Sequence, residues 1–245
     1  MGWVAPHLLI KPGDVGKYAL LPGDPSRADR IAEFLRDAVL KARNREFVVY
    51  TGWYGNELVT VASTGIGGPS AAIAIEELAK CGVRYFIRVG TCGALRRGVK
   101  VGELVIPYAA VRLDGVTRRY VPPEYPAVAH PKVFNALTKA ANELGIKYLT
   151  GIIVSDDAFY VSRDEVLKWS SLGTVAIEME ASTVMTLTSL KGLYGGAVLV
   201  VDGNLIEGTG KAEVGASGSS ELPKVVREAI DLEIRVALES IKYLR

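Results

Sequence analysis

Two glutamates, Glu178 and Glu180, lie two positions apart in "AIEMEAST" (176–183), inside a run otherwise composed for burial, with "ASTVMTLTSL" following. An unpartnered carboxylate among such neighbours is costly. An ionised carboxylate only accepts hydrogen bonds, and it can accept from two neighbouring hydroxyls at once. A cis-diol suits it, so ribose is the natural candidate. Met179 between the glutamates offers an apolar, adaptable surface to a sugar face. The plainer alternative is that one of the two caps the following helix as an early acidic residue. That alternative suits one glutamate better than both.

A second chemistry comes from arginine and glycine together. "RVGTCGA" (88–94) offers a guanidinium, a hydroxyl and close backbone approach, which outlines an anion site. "PGDPSR" (22–27) repeats the theme, with Gly23 open to a ligand and Arg27 one turn into a helix. Glycine turns at strand ends are routine, but two of them, each with an arginine, favour phosphate. "STGIGGPS" (63–70) is not a dinucleotide fingerprint. Position 70 is Ser70 where a third glycine belongs, and Pro69 opens the helix. A tight strand-to-helix turn accounts for Gly65, Gly67 and Gly68.

The elements that must carry these residues alternate between strand and helix. "KYALLPGDPSRADRIAEFLRD" predicts a buried strand, a turn and a helix with Pro25 at its first position. "EFVVYTGWYGNELVTVAST" predicts two strands about a Gly55-Asn56 turn, and "GPSAAIAIEELAKCG" a helix ended by Gly82. Further strands are predicted in "VRYFIRVG", "ELVIPYAAVRLDG" (Pro107 at a bend or bulge), "KYLTGIIVSDD", "TVAI" and "GGAVLVVDG". Helices are predicted in "PKVFNALTKAANELG", "RDEVLKW", "ASTVMTLTSLKG" and the amphipathic tail "ELPKVVREAIDLEIRVALESIKYL". Residues 208–220 read as a flexible loop. The fold expected is α/β, a single domain over residues 1–245 with a central mixed sheet between helices, a three-layer α/β/α sandwich. Ligands in such sheets sit beyond the carboxyl ends of strands, where the unusual residues cluster.

Composition narrows the function. The chain has 245 residues, 49% hydrophobic, and a net charge of +2, so a nucleic-acid footprint is not expected. Two cysteines, Cys81 and Cys92, and two histidines, His7 and His130, lack metal-ligand spacing, so no metal is expected. Few cysteines, no signal-peptide pattern and no long apolar run suit a cytoplasmic protein without a membrane partner. Glutamine is absent and charge is abundant, which suits a heat-adapted source.

"LPGDPSRADRIAEF", "NREF", "STGIGGPSAAIAIEEL", "RVGTCGA" and "AIEMEAST" together resemble the nucleoside phosphorylase family, which includes uridine phosphorylase and the hexameric purine nucleoside phosphorylases. The likeness runs in order from about His7 to Asp202 and is less distinctive beyond. It implies cleavage of a nucleoside by inorganic phosphate, giving ribose 1-phosphate and a free base, with no cofactor. It implies phosphate ligands at Gly23, Arg27, Arg88 and Thr91, with Arg45 supplied by a neighbouring subunit. Glu180, Met179 and Glu178 would hold the ribose, and the neighbour's His7 its 5′ end. Cys92, Gly93, Phe159 and Arg163 would border the base. A hexamer of dimers with shared sites is implied, with a possible monovalent cation (potassium) at Glu46, Ile66 and Ser70. The base assignment stays open. Purine enzymes of the family carry a Ser-Asp pair after the late strand. Ungapped alignment here puts Gly203 at the acid's position and Asp202 one residue early. Uridine enzymes read uracil with a glutamine and an arginine, whose places are taken by Arg163 and Glu165. Residues 111–129 look like the uridine branch, so uridine leads. A purine nucleoside or methylthioadenosine is the alternative, followed by a nucleosidase or a non-catalytic nucleoside-binding protein.

Overall fold

The computed structural model describes residues 2–211 and 223–244. Ten strands form one mixed sheet: β1 (Tyr18–Leu21), β2 (Arg36–Asn44), β3 (Phe47–Tyr54), β4 (Glu57–Ala62), β5 (Tyr85–Ala94), β6 (Leu104–Arg112), β7 (Ala127–Val128), β8 (Tyr148–Ser155), β9 (Ala176–Glu178) and β10 (Tyr194–Asn204). Their order is β10-β6-β8-β9-β5-β1-β4-β3-β2, with β7 on β6. β5 pairs with β9 on one side and also with β10, so β5, β10, β6, β8 and β9 close into a small barrel, and the other strands extend from it.

Alternation along the strands sorts their side chains into two apolar layers. On one face, Tyr18, Leu20, Ile87 and Val89 pack under α1 (Pro25–Ala32), α4 (Pro131–Glu143) and α7 (Lys224–Ser240). On the other, Ala19, Leu21 and Phe86 pack under α2 (Gly68–Cys81) and α6 (Ala181–Leu190). Shorter helices α3 (Thr117–Tyr120) and α5 (Arg163–Ser171) lie in the connections. The expected three layers are present.

Two expectations change. The helix expected through "EFLRD" stops at Ala32, and β2 begins at Arg36. β2 is an edge strand with mostly exposed residues, so it lacks the alternating apolar pattern by which a strand is recognised. "TCGA" is not a loop beyond a strand end. β5 runs through Ala94 because β10 and β9 continue to pair with Thr91, Cys92 and Gly93. From residue 212 on, the loop expected at 208–220 lies outside the described residues, as do Glu221 and Leu222 at the head of the expected tail helix, which is described from Lys224. Pro107 sits at the register shift where β6 meets β8.

Candidate active site

A cavity of about 970 Å³ opens at the carboxyl ends of β1, β5, β9 and β10. Each strand end brings a different chemistry to it. After β1, Asp24 caps α1 by accepting from the Ser26 N–H at 2.8 Å, with Pro25 at the first helical position, and Arg27 then turns to the cavity. The loop after β4 is tied alongside, Thr64 N–H donating to Pro22 O at 2.8 Å and Gly65 N–H to Gly23 O at 3.0 Å.

Arg88 on β5 is the centre of the site. Its Nε donates to Glu178 Oε2 at 2.6 Å and its Nη2 pairs with Glu180. Its side chain is 6% exposed, and its Nη1 is buried without a partner among the described residues. The guanidinium lies over Gly90, where a Cβ would stand 2.9 Å from Cζ, so that glycine is what gives it room. Burial opposes Arg88's charge, but the two glutamates more than offset this and hold its pKa above the ordinary value.

The two glutamates divide their work. Glu178 accepts from Ser155 Oγ at 2.5 Å, from the Glu180 N–H at 2.9 Å and from the Ala181 N–H at 3.0 Å. It therefore caps α6 and aims Arg88, and its oxygens are engaged within the protein. Glu180 accepts from the Gly67 N–H at 2.5 Å and otherwise from Arg88. Gly67 has φ +92°, which a side chain rarely tolerates, and this conformation opens α2 with its N–H free for Glu180. Two lone-pair directions of Glu180 remain for hydroxyls. Burial pushes its pKa up, Glu178 adds to that, and Arg88 and the Gly67 N–H oppose it.

At the far end of the cavity, β10 shifts register between Val201 and Gly203, so Asp202 is the bulged residue. Bulges re-aim side chains, and Asp202 lines the cavity, its carboxylate 2.5 Å from Lys211 Nζ. Arg163 also lines the cavity, but its guanidinium donates to Leu205 O and, at 3.0 Å, to Ile206 O. Cys92, Gly93 and the half-exposed Phe159 line the same end, and burial pushes the Cys92 thiol well up.

Of the residues expected from sequence, the cavity gathers Gly23, Arg27, Glu46, Ile66, Arg88, Thr91, Cys92, Gly93, Phe159, Arg163, Glu178, Met179, Glu180 and Asp202. Three lie off it. His7 is held by Glu77 of α2, Nδ1 2.7 Å from Oε1. Arg45 is exposed at the tip of the β2–β3 hairpin, with φ +53°. Ser70 Oγ donates to Glu46 Oε1 at 2.9 Å. Among the described residues, no cluster of histidine, cysteine and carboxylate could hold a metal ion, and no helix is long and apolar enough to cross a membrane.

The profile of the phosphorylase superfamily matches residues 17–242. The chain belongs to the phosphorylase superfamily. This phosphorylase is 44% identical over 240 residues to the guanosine phosphorylase of Halorubrum lacusprofundi, covering 98% of each chain. It is 42% identical over 240 residues to the uridine phosphorylase of Thermococcus kodakarensis, covering 92% of this chain and 85% of the relative. Its fold matches the crystal structure of purine nucleoside phosphorylase from Toxoplasma gondii in complex with immucillin-H with a TM-score of 0.91 at 32% identity, covering 100% and 98% of the two chains.

Sequence reasoning missed three supporting residues of the phosphorylase. Ser155 links β8 to the Glu178 cap, and Asp114 accepts from Ser182 Oγ at 2.6 Å, both without a local motif. Glu233, fully buried on α7, did leave a signal: it falls on the apolar stripe of that helix, beside Ala229, Ile230, Ile234 and Ala237.

Proposed function

We propose that this enzyme is a nucleoside phosphorylase, a pentosyltransferase that uses inorganic phosphate to release a base from a ribonucleoside. The observation that carries the reading is the buried, unpartnered Nη1 of Arg88 beside a cavity that also holds Arg27, Thr91 and Glu180. A buried donor without an acceptor calls for one, and a phosphate oxygen between two guanidiniums supplies it. Arg27, Arg88, Thr91 and the open backbone at Gly23 then hold phosphate in line with the sugar's anomeric carbon, which makes attack a positioned step. Glu180 accepts the 2′ and 3′ hydroxyls and stabilises the cationic sugar as the glycosidic bond breaks. Met179 covers the sugar face. Glu178 acts through Arg88 and not on the sugar, because its acceptors are already engaged.

The leaving base carries away negative charge and needs a donor. We assign that role to the Asp202–Lys211 pair, with Lys211 Nζ as the donor and the Asp202 carboxylate as the group that aims it, and so favour a purine. The bulge gives Asp202 the direction that ungapped alignment denied it, while Arg163 has carbonyl partners and serves as a clamp on the turn after β10. Uridine is the second reading, supported by the segment at 111–129 and by relatives that carry the name uridine phosphorylase.

We further propose that residues 1–245 act as one domain in a homo-oligomer, a cytoplasmic hexamer built from dimers. There His7 and Arg45, off this chain's own cavity, reach the neighbour's site. Glu46, Ile66 and Ser70 adjoin that edge, and their oxygens are of the kind that a potassium ion takes.

The test is an assay of guanosine, inosine, methylthioadenosine and uridine with and without inorganic phosphate. Phosphate-dependent release of base supports the phosphorylase. Release without phosphate would identify a nucleosidase, and no release with any of them a binding protein. The fastest substrate decides purine against uridine.

A further inference from the structure

Glu233 is a carboxyl that the catalytic scheme leaves unused. It lies on the core-facing stripe of α7 and is fully buried. Neither of its oxygens has a hydrogen-bond partner among the described residues. The Gly90 N–H stands near without closing a bond. Among the described residues, its charged and titratable surroundings come from three elements: Arg27 of α1, Arg88 and Cys92 of β5, and Asp202 of β10. α4, which packs along α7, buries only apolar residues: Val133, Ala136, Leu137, Ala140 and Ala141.

Arg27 and Arg88 line the cavity, whereas Glu233 does not. Both guanidiniums thus face the substrate space while also acting electrostatically on the buried carboxyl. We propose that Glu233 is a positioning residue that shares Arg27 and Arg88 with bound phosphate and takes up a proton from solvent when the phosphate dianion arrives.

The inference rests on the phosphate assignment made above. In a dry site, a carboxylate and a dianion compete for the same two cations, and the like charges repel strongly. Of the two anions, only the carboxylate can be neutralised without leaving. One proton adds to one carboxylate oxygen, no other bond changes, and the proton returns to solvent when ribose 1-phosphate departs. Burial already pushes this carboxyl up to about 8, against the pull of Arg27 and Arg88. It thus sits where a nearby negative charge changes its protonation near neutral pH. As a neutral acid, Glu233 leaves both arginines to the phosphate. As a carboxylate, it draws them back. Phosphate affinity therefore falls as pH rises above about 8, by up to tenfold per pH unit, until Glu233 no longer protonates in the bound state.

The experiment is calorimetric titration of inorganic phosphate into the full chain, just above pH 8, in two buffers of different ionisation heat. Phosphate is then mostly the dianion, and its own protons cancel between variants. The wild type should take up a sizeable fraction of one proton per phosphate bound, with Glu233→Gln and Glu233→Met taking up correspondingly less. The pH dependence of the KM for phosphate should flatten in both variants, while kcat keeps its pH profile. Glu233→Gln keeps the shape and Glu233→Met removes the unpartnered oxygens, so a folding defect in one leaves the other. No proton uptake by a wild type that binds phosphate overturns the proposal without any variant. Equal uptake in wild type and variants overturns it too. A wild type that does not bind phosphate overturns the phosphate assignment and this coupling together.

Discussion

Replacing Arg88 by alanine removes the cation that two buried carboxylates share. Glu178 Oε2 lies 2.6 Å from Nε, Glu180 pairs with Nη2, and the three side chains are 6%, 1% and 5% exposed. Breaking a buried pair from one side costs about 3–5 kcal/mol, because the remaining charge is left uncompensated. Here two charges remain, so they repel until one takes a proton. The sign follows. Without Arg88, the folded-state carboxyl rises further above its unfolded value, so the variant's stability is fullest at low pH and falls as pH rises through the raised value. Each bound proton changes stability by about 1.4 kcal/mol per pH unit in that window. Denaturant unfolding of wild type and Arg88→Ala at pH 5 and pH 8 should therefore show a loss of about 3–5 kcal/mol at the higher pH and a markedly smaller one at the lower. The folded variant should also lose roughly thirty- to a thousand-fold in kcat/KM for phosphate, about 2–4 kcal/mol for one charge-assisted ligand. A stability loss equal at both pH values would refute the account of a shared cation. Unchanged kinetics with phosphate would refute the assignment of Nη1.

Glu180→Gln should keep the fold yet lose most turnover, and 2′-deoxyribonucleosides should lose less than ribonucleosides in parallel assays. Equal losses would reduce Glu180 to a partner of Gly67 and Arg88. Asp202→Asn should cut purine cleavage by roughly ten- to a thousand-fold, about 1.4–4 kcal/mol, whereas Arg163→Ala should act mainly on stability. A wild type fastest on uridine, and crippled on it by Arg163→Ala, would reverse the base assignment. Glu233→Met removes a carboxyl raised from 4.5 to about 8 in the folded protein. Wild-type stability should thus fall between about pH 5 and 8 relative to the variant, by an amount on the order of 5 kcal/mol, as read from paired unfolding curves.

Much of the cavity lining could be read from local sequence because it lies on short segments, two of them marked by glycine. "PGDPSR", "RVGTCGA" and "EMEAS" each end or follow a strand, and the sheet brings those ends together. The capping alternative for one glutamate was legible too, although which one depends on Ser155 and Arg88 and thus on the neighbouring strands. Asp202 shows the limit. Its direction is set by a bulge in the β10–β5 pairing, and the sequence of β10 alone carries no mark of the register of β5. Arg163 shows the converse. Its position was foreseen, but its carbonyl partners on the turn after β10 are tertiary. β2 escaped notice because an exposed edge strand is held by backbone pairing to β3 and not by burial.

Charge balance connects these separate readings. Around Arg88, two of the guanidiniums that line the cavity, Arg27 and Arg88, offset two of its carboxylates, Glu178 and Glu180, while Arg163 is engaged by the carbonyls of Leu205 and Ile206 and Asp202 by Lys211. A bound phosphate dianion would then be in excess in a place too dry to tolerate it. Two adjustments suit this geometry. One is a further cation, the part proposed above for the Arg45 of a second copy, exposed in a left-handed turn off its own cavity. The other is the removal of a negative charge, and Glu233 is a buried carboxyl, under the influence of Arg27 and Arg88, that has no hydrogen-bond partner among the described residues. The two adjustments separate by experiment. Arg45→Ala should weaken phosphate binding with proton uptake intact, whereas Glu233→Gln should abolish the uptake with the Arg45 contribution intact. If either variant removed both effects together, the arginine and the carboxyl would be parts of one device, and the charge balance as drawn here would have to be given up.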